Sequence, residues 1–367
     1  MNSSVKNILL FIFLLFYGIS FSQVLEGTIL DKNTSKPIAS ATVYLDGTTI
    51  STLTDENGVF KINSKGNTKP DLVISYLGYV TTRVTNPFQY KKIKALLEED
   101  SIAINEVFIG KGPFTQKQMM KAFRYHFLGN SAAGTSCKIQ NEEDLYFFFD
   151  VETNVLSATA HKPLKIINKH LGYEVNFDLV DFEVKFESRT LKPLCAKSSL
   201  FYGTTFFTET AKGEKVDHKR INSYLGSSTH FMKMVANNSW AKEEYKLYVD
   251  KFPADPNEYF QVTDTLGLKK IKILKDPMKK VQKFNISKGL TEITAEKGKF
   301  EQKKDFFTVM YHGELQSAVD FNAKELLVDQ NGNYSPFNGV VFGGYIGALK
   351  AGDMLPADYS QNLKKLP

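Results

Sequence analysis

The chain has 367 residues, with 46 Lys and Arg against 40 Asp and Glu, and 42% of its residues are hydrophobic. That is the balance of an ordinary globular protein, and the length favours two cores over one. No basic block is long enough to suggest nucleic acid; Lys279-Lys280 and Lys303-Lys304 read as solvated turns.

The N-terminus carries one charge, Lys6, and then an apolar run from Ile8 to Ile19. Such a run fits a secretory signal and is short of the ~20 residues that span a bilayer. Ser20-Phe21-Ser22 offers the small residues a signal peptidase reads. Residues 1–22 are therefore expected to be a signal peptide and the mature chain to begin at Gln23. No cysteine near that point supports a lipid anchor. No later apolar run reaches ~18 residues, so no transmembrane segment is expected in the mature chain. The expected compartment is the periplasm or the periplasmic face of the outer membrane, with peripheral association open.

From Val24 to Glu98 the sequence reads as short strands between turns. Val24–Leu30 is one strand. Ala39, Ala41, Val43 and Leu45 then alternate with polar neighbours, the period of a half-buried strand. In Thr54-Asp55-Glu56-Asn57-Gly58-Val59-Phe60, Asn57-Gly58 suits a tight hairpin, and Asp55 can accept from the turn backbone. Leu72–Tyr76, Val80–Val84 and Ile93–Leu97 complete about seven strands, a sandwich pattern.

Gly27-Thr28-Ile29, Pro37–Val43, Thr54–Phe60 and Ser75-Tyr76-Leu77-Gly78-Tyr79 resemble the carboxypeptidase regulatory-like family in order and spacing. The resemblance covers almost all of residues 24–97. It implies a transthyretin-like seven-strand sandwich that is not itself catalytic and that accompanies peptidases, transporters and envelope proteins. The Asp-x-Asn-Gly order also raises a calcium site at Asp55 and Asn57, but a turn explains it better because no further acidic ligands follow.

Residues 99–114 read as a linker: an acidic break at Glu98–Ser101, a short strand Ile104–Ile109, then Gly110-Lys111-Gly112-Pro113. The segment resembles the one that follows this sandwich in TonB-dependent receptors. The remaining residues lack the many long alternating strands of such a barrel, so transport is not carried over.

Residues 115–367 are expected to form a β-rich α+β domain with about two helices. Thr115 and Gln118 form a capping-box pattern, and Met119, Phe123 and Phe127 share one helix face. Strands follow at Leu145–Val151 and Val155–His161. In Tyr173–Glu187 the apolar set switches parity, from Tyr173, Val175, Phe177 and Leu179 to Val180, Phe182, Val184 and Phe186. A strand that keeps one apolar face across that switch needs an extra residue, so a β-bulge is predicted at Leu179-Val180. Lys192–Glu209 continues as strand. A second helix, Asp217–Ala236, is interrupted or kinked at Gly226-Ser227-Ser228. Further strands are predicted at Tyr245–Val249, Ile271–Leu274, Leu290–Ala295, Phe306–Tyr311 and Leu326–Asp329, with a hairpin at Asn331-Gly332. Phe127-Leu128-Gly129, Cys137-Lys138-Ile139, Asn168–Tyr173, Tyr224–Phe231 and Gly343-Gly344-Tyr345 resemble an uncharacterised Bacteroidetes family fused to such a sandwich. That resemblance implies architecture and compartment only.

No catalytic motif is found. His312-Gly313-Glu314 has the wrong spacing for a zinc carboxypeptidase, although on a strand both side chains would share a face. His126, His161, His170, His218 and His230 are scattered, and His230 is notable for the Ser-Ser-Thr run before it. Gly129-Asn130-Ser131-Ala132-Ala133-Gly134 has one residue too many for a nucleophile elbow. Ser239-Trp240-Ala241-Lys242 lacks the Lys-Thr-Gly partner of Ser-x-x-Lys enzymes. The glycines near Gly343 lack dinucleotide-binding spacing and read as strand or close-packing glycines. No catalytic, cofactor or metal residue is therefore assigned. Cys137 and Cys195 are left as either a disulfide or two free thiols.

The expectation is a mainly β, non-catalytic envelope protein that binds another envelope protein or a glycan. Two alternatives stand beside it: an accessory to an outer-membrane transport complex, or an unrecognised hydrolase in residues 115–367.

Overall fold

The computed structural model describes residues 23–64, 70–100, 112–286 and 293–359. The expected signal peptide, the strand at 104–109 and part of Leu290–Ala295 lie outside these residues. The chain divides into two compact units, Met1–Ala103 and Ile104–Pro367.

Among its described residues the first unit has seven strands: β1 (Gln23–Asp31), β2 (Thr42–Leu45), β3 (Ser51–Leu53), β4 (Val59–Ser64), β5 (Leu72–Ser75), β6 (Thr82–Val84) and β7 (Ile93–Leu97). They form a three-stranded sheet, β4-β1-β7, and a four-stranded sheet, β3-β2-β5-β6. Alternation sends Leu25 and Ile29, Phe60 and Ile62, and Ile93, Ala95 and Leu97 into one core with Val43, Leu45, Leu72 and Ile74. Gly27 leaves room for the Phe60 ring, which a Cβ there would meet at 2.6 Å. The turn at Asp55–Gly58 has the predicted chemistry. Asp55 Oδ1 accepts from the Asn57 and Val59 amides at 2.9 and 2.8 Å, and Gly58 has φ +70°. It is not a hairpin within one sheet, however. β3 and β4 belong to different sheets, so the turn carries the chain between layers.

In the second unit, α1 (Gln116–Phe127) starts at the expected capping box: Thr115 Oγ1 accepts from the Gln118 amide at 3.3 Å, and Gln118 Oε1 from the Thr115 amide at 2.8 Å. Then come α2 (Ala132–Ser136), β8 (Cys137–Ile139), β9 (Leu145–Asp150), β10 (Val155–Ala160), β11 (Leu164–Asn168), β12 (Tyr173–Phe186) and β13 (Ala196–Glu209). β13 pairs with the length of β12, while β11 and β10 share its other edge, flanked by β8 and β9. The apolar face of α1 packs on this sheet, with Phe123 against Phe147 and Phe182, and Phe127 against Phe177. The β12–β13 register skips between Leu179 and Asp181, which leaves Val180 60% exposed. Tyr173, Val175, Phe177 and Leu179 before it, and Phe182, Val184 and Phe186 after it, are all buried. The predicted bulge is therefore present and keeps one face inward.

The second predicted helix is two, α3 (Glu214–Tyr224) and α4 (Ser228–Ala236), broken at Gly226 with φ +76°. A second core surrounds α4. The elements of this half are β14 (Tyr245–Val249), β15 (Phe252–Pro253), β16 (Phe260–Thr265), β17 (Leu268–Ile273), β18 (Met278–Ile286), β19 (Ile293–Lys304), β20 (Phe307–Tyr311), β21 (Leu315–Phe321), β22 (Glu325–Val328), β23 (Tyr334–Ser335) and β24 (Val340–Gly343), with the short α5 (Gly344–Ala348); of these strands, β14, β16, β17, β20, β21, β22 and β24 send buried residues into the core. The sheets are β15-β14-β20-β21-β24 and β16-β17-β22-β23, plus a two-stranded ribbon, β18-β19. Lys279-Lys280 and Lys303-Lys304 thus lie on strands rather than in turns.

Candidate functional site

Among the described residues, the buried ionisable side chains of the second unit lie at three places. At the first, Arg220 of α3 is only 3% exposed. Its guanidinium donates to the carbonyls of Leu171, Gly172 and Ala211, bonds Glu209 at 2.7 Å, and lies 4.1 Å from the Tyr173 ring centre. This matches a planar fork to several fixed acceptors, as arginine does and lysine does not. Sequence periodicity could not mark it, because an arginine on an amphipathic helix ordinarily faces water.

The second place is a latch for the C-terminal segment. Ser131 caps α2, accepting from the Gly134 amide and donating to Asp353 Oδ1 at 2.6 Å. Asn168 Nδ2 donates to the Gly352 carbonyl, and the Gly352 amide to the Leu128 carbonyl. A Cβ on Gly352 would fall 2.4 Å from Gly134 Cα. Burial raises the Asp353 carboxyl and lowers the Lys350 ammonium from their ordinary values. Beside the latch, His126 is 5% exposed and its Nε2 has no hydrogen-bond partner among the described residues. Burial, aided by the Lys350 charge, brings its pKa down to about 4. Ser131 thus spends its hydroxyl on a helix cap and a carboxylate, not on a histidine that could serve as base.

The third place is His230, 4% exposed. Its Nδ1 accepts from the Gly226 amide at 3.0 Å and faces the Tyr245 hydroxyl at 3.2 Å. The ring proton therefore belongs on Nε2, 3.4 Å from Glu243 Oε2. Burial lowers its pKa, against the opposing pull of Glu243. The Ser227 hydroxyl accepts from the His230 backbone amide, not from the ring. His230 thus holds the helix break closed.

His312 and Glu314 do not share a strand face. They lie on the β20–β21 turn, where His312 has φ +51° and pairs with Glu244. His161 meets the Tyr146 ring edge-on, and His218 faces Glu214 one turn earlier on α3. Ser239 donates to the Met234 carbonyl at the end of α4, and Lys242 is exposed. Gly344, with φ +64°, would bring a Cβ 2.5 Å from the Gln316 carbonyl, as a close-packing glycine does. Among the described residues, no group of three or more His, Cys, Asp or Glu could hold a metal ion.

Cys137 and Cys195 are free thiols. Of the two readings left open, the disulfide is not the one formed. Cys137 pairs with Asn168, which pairs with Tyr173 at one end of β12; Cys195 immediately precedes Ala196, the partner of Phe186 at the other end. A strand of that length separates its ends by roughly 40 Å, whereas a disulfide needs Cα atoms within about 7 Å. Burial, and Asp353 nearby, push the Cys137 thiol up to about 12, the reverse of an activated nucleophile.

In the first unit, Asp31 is the polar anchor. It accepts from the Thr34 amide, the Tyr79 hydroxyl and the Asn33 amide, which hold its pKa at about 2. Residues 25–109 match the CarboxypepD_reg-like domain. A CarboxypepD_reg-like domain is present near the N-terminus. No curated protein matches the chain. Solved structures similar to parts of it include a type II cohesin–X-dockerin complex from Acetivibrio cellulolyticus (23% identity over 30% of this chain and 76% of that one, TM-score 0.20). A 9R-lipoxygenase from Cyanothece PCC8801 is 12% identical over 59% of this chain and 48% of that one, with a TM-score of 0.17. A protein described as membrane-associated and of unknown function, from Bacteroides fragilis NCTC 9343, is 14% identical over 52% and 82%, with a TM-score of 0.16. Likenesses at these scores carry no argument about this chain. Among the described residues no helix is long and apolar enough to cross a membrane.

Proposed function

We propose that this chain is an exported cell-envelope protein that works by binding, not by turnover, and that its partner is another envelope protein or a glycan. The observation that carries the reading is the CarboxypepD_reg-like domain at residues 25–109, a binding-type module whose resemblance implies no catalysis. The second unit adds support. Arg220, His230, Ser131 and Asn168 make their bonds to neighbouring chain and helix ends. Groups committed in this way build a fold, whereas a catalytic group keeps a bonding position for substrate. The periplasmic face of the outer membrane is the compartment that fits the apolar N-terminus and the resemblance of residues 98–113 to the segment after this sandwich in transport receptors.

Crosslinking in intact cells, followed by identification of the co-purified proteins and glycans, tests the proposal. A reproducible envelope partner, lost when residues 23–98 are exchanged for an unrelated sandwich, is the expected result. Turnover of a peptide, ester or glycan model substrate, abolished by one point change in residues 115–367, would overturn it in favour of a hydrolase.

A further inference from the structure

α3 and α4 belong to different halves of the second unit. Through Arg220, α3 is bonded to the carbonyls of Leu171, Gly172 and Ala211, beside the β12–β13 sheet. Phe231, Met232, Met234 and Val235 of α4 lie in the second core. The break between the helices is therefore a joint, and Gly226 is seated tightly in it. A Cβ there would fall 2.9 Å from the Tyr345 ring and 3.2 Å from the Tyr311 ring.

One buried hydrogen bond at this joint depends on a titratable atom. The Gly226 amide donates to His230 Nδ1 at 3.0 Å. A neutral ring with its proton on Nε2 can accept there; an imidazolium, protonated on both nitrogens, cannot. In the charged ring Nδ1–H and the Gly226 N–H would face each other as two donors. The Tyr245 hydroxyl lies 3.2 Å from the same nitrogen, and its oxygen can accept from the charged ring. Nε2–H meanwhile keeps Glu243, 3.4 Å away, as an ion pair.

Every element packed on the ring contributes to the balance. Burial disfavours the charged form most, Glu243 opposes it, and Lys233 of α4 and His312 of the β20–β21 turn add like charge. Tyr224 of α3 and Tyr311 of β20 meet the ring by their faces and edges. Burial holds the Tyr245 and Tyr311 phenols above their ordinary value, so both stay protonated while the imidazole titrates.

We propose that the α3–α4 break is an acid-operated hinge: a proton taken from solvent by the His230 ring turns Nδ1 from the Gly226 amide to the Tyr245 hydroxyl, and the joint between the two halves of the second unit opens. The Gly226 amide is then a buried donor without an acceptor, which the closed joint cannot hold at low cost. The bistable element is the break itself, and the switch is one proton on one ring. The device needs no partner and does not rest on the binding role proposed above.

The test is amide hydrogen exchange of the full chain from about pH 7.5 down to about pH 4.5, corrected for the pH dependence of the chemical exchange rate. In the wild type, residues 221–230 should lose protection about tenfold on acidification, the worth of one hydrogen bond. The β12–β13 ladder around Val175 and Phe177 should keep its protection over the same range. His230→Asn puts an amide oxygen in place of Nδ1 and does not titrate, so its protection at the break should not change with pH. Glu243→Gln removes the carboxylate that favours the charged ring, so the midpoint of opening should fall by about one pH unit. Wild-type protection at the break that is constant with pH overturns the inference. So does an equal loss in the β12–β13 ladder, which makes the change global unfolding, or an acid loss that persists in His230→Asn. A midpoint unmoved in Glu243→Gln overturns it too, whether or not the His230 variant folds.

Discussion

In the sandwich, the buried threonines bond main chain: Thr54 bonds Ile38 and Ala41, and Thr48 bonds Leu45. Among the described residues of this unit the one buried carboxylate, Asp31, closes a turn and accepts from the Tyr79 hydroxyl. In the second unit, by contrast, Arg220, His126, His230 and Asp353 are ionisable groups placed among core elements. The first unit could stand on apolar packing with its turns anchored. The second has several buried ionisable groups, and a buried ion that loses its partner costs more than the pair contributes. The two units should therefore respond to substitution and to pH in different ways.

The largest expected effect is at Arg220. Arg220→Met takes the guanidinium from three carbonyls and from Glu209, of which the Gly172 carbonyl keeps the Thr210 amide and Glu209 keeps Lys212, and should destabilise the second unit by about 3 kcal/mol. Calorimetry that resolves the two transitions should show the sandwich transition unmoved. A parallel shift of both would dissolve the contrast. Arg220→Lys should recover little, because one ammonium cannot span acceptors set for a fork.

The next test uses pH. His126 has a folded pKa of about 4, below its unfolded value near 6.5. The unfolded chain therefore takes up the proton first, and stability present above pH 6.5 is lost as pH falls to 4, by about 3 kcal/mol in all. His230 is shifted in the same direction, and the raised carboxyl of Asp353 in the opposite one. His126→Leu isolates one contribution: its second-unit transition should fall less steeply between pH 6.5 and 4 than the wild type's. Asp31, held at about 2, supplies stability that is fully present above its unfolded value near 4 and fades only below it. The sandwich should thus keep its melting temperature through the window in which the second unit weakens.

A smaller effect, confined to the sandwich, is expected at Gly58. With φ +70° and the Ile29 carbonyl 2.4 Å from where a Cβ would sit, Gly58→Ala should cost about 1–3 kcal/mol. An unchanged first transition would mean that the turn between layers does not constrain the sheets.

What could be read from the sequence follows the same divide. The seven strands, the Thr115 cap, the Val180 bulge and the Gly226 break are local signals, each carried by spacing or by a residue with special backbone preferences. The transfer of Asp55–Gly58 from hairpin to interlayer turn was not legible, because the same turn chemistry serves both. Arg220, Asn168 and Asp353 were missed for a related reason. Asn168 and Gly352 meet across 184 positions, and nothing near either residue says so. Strands β8, β11, β16 and β21 also went unread. β8 is three residues long, and the polar Lys165, Asn168, Asp264 and Asp320 blur the period in the others.

The smallest expected effect is none at all. If Cys137 and Cys195 stand at opposite ends of β12, reductant should change neither the intact mass nor the melting of the second unit. Both thiols should titrate after denaturation. In the folded protein at pH 8, Cys137 should alkylate slowly, because burial keeps it protonated. A mass lower by two hydrogens before reduction would require the two ends of a 14-residue strand to meet. No bend at Val180 could achieve that without unpairing β13 along its length, so the measurement tests the register of the whole sheet as well as the state of two side chains.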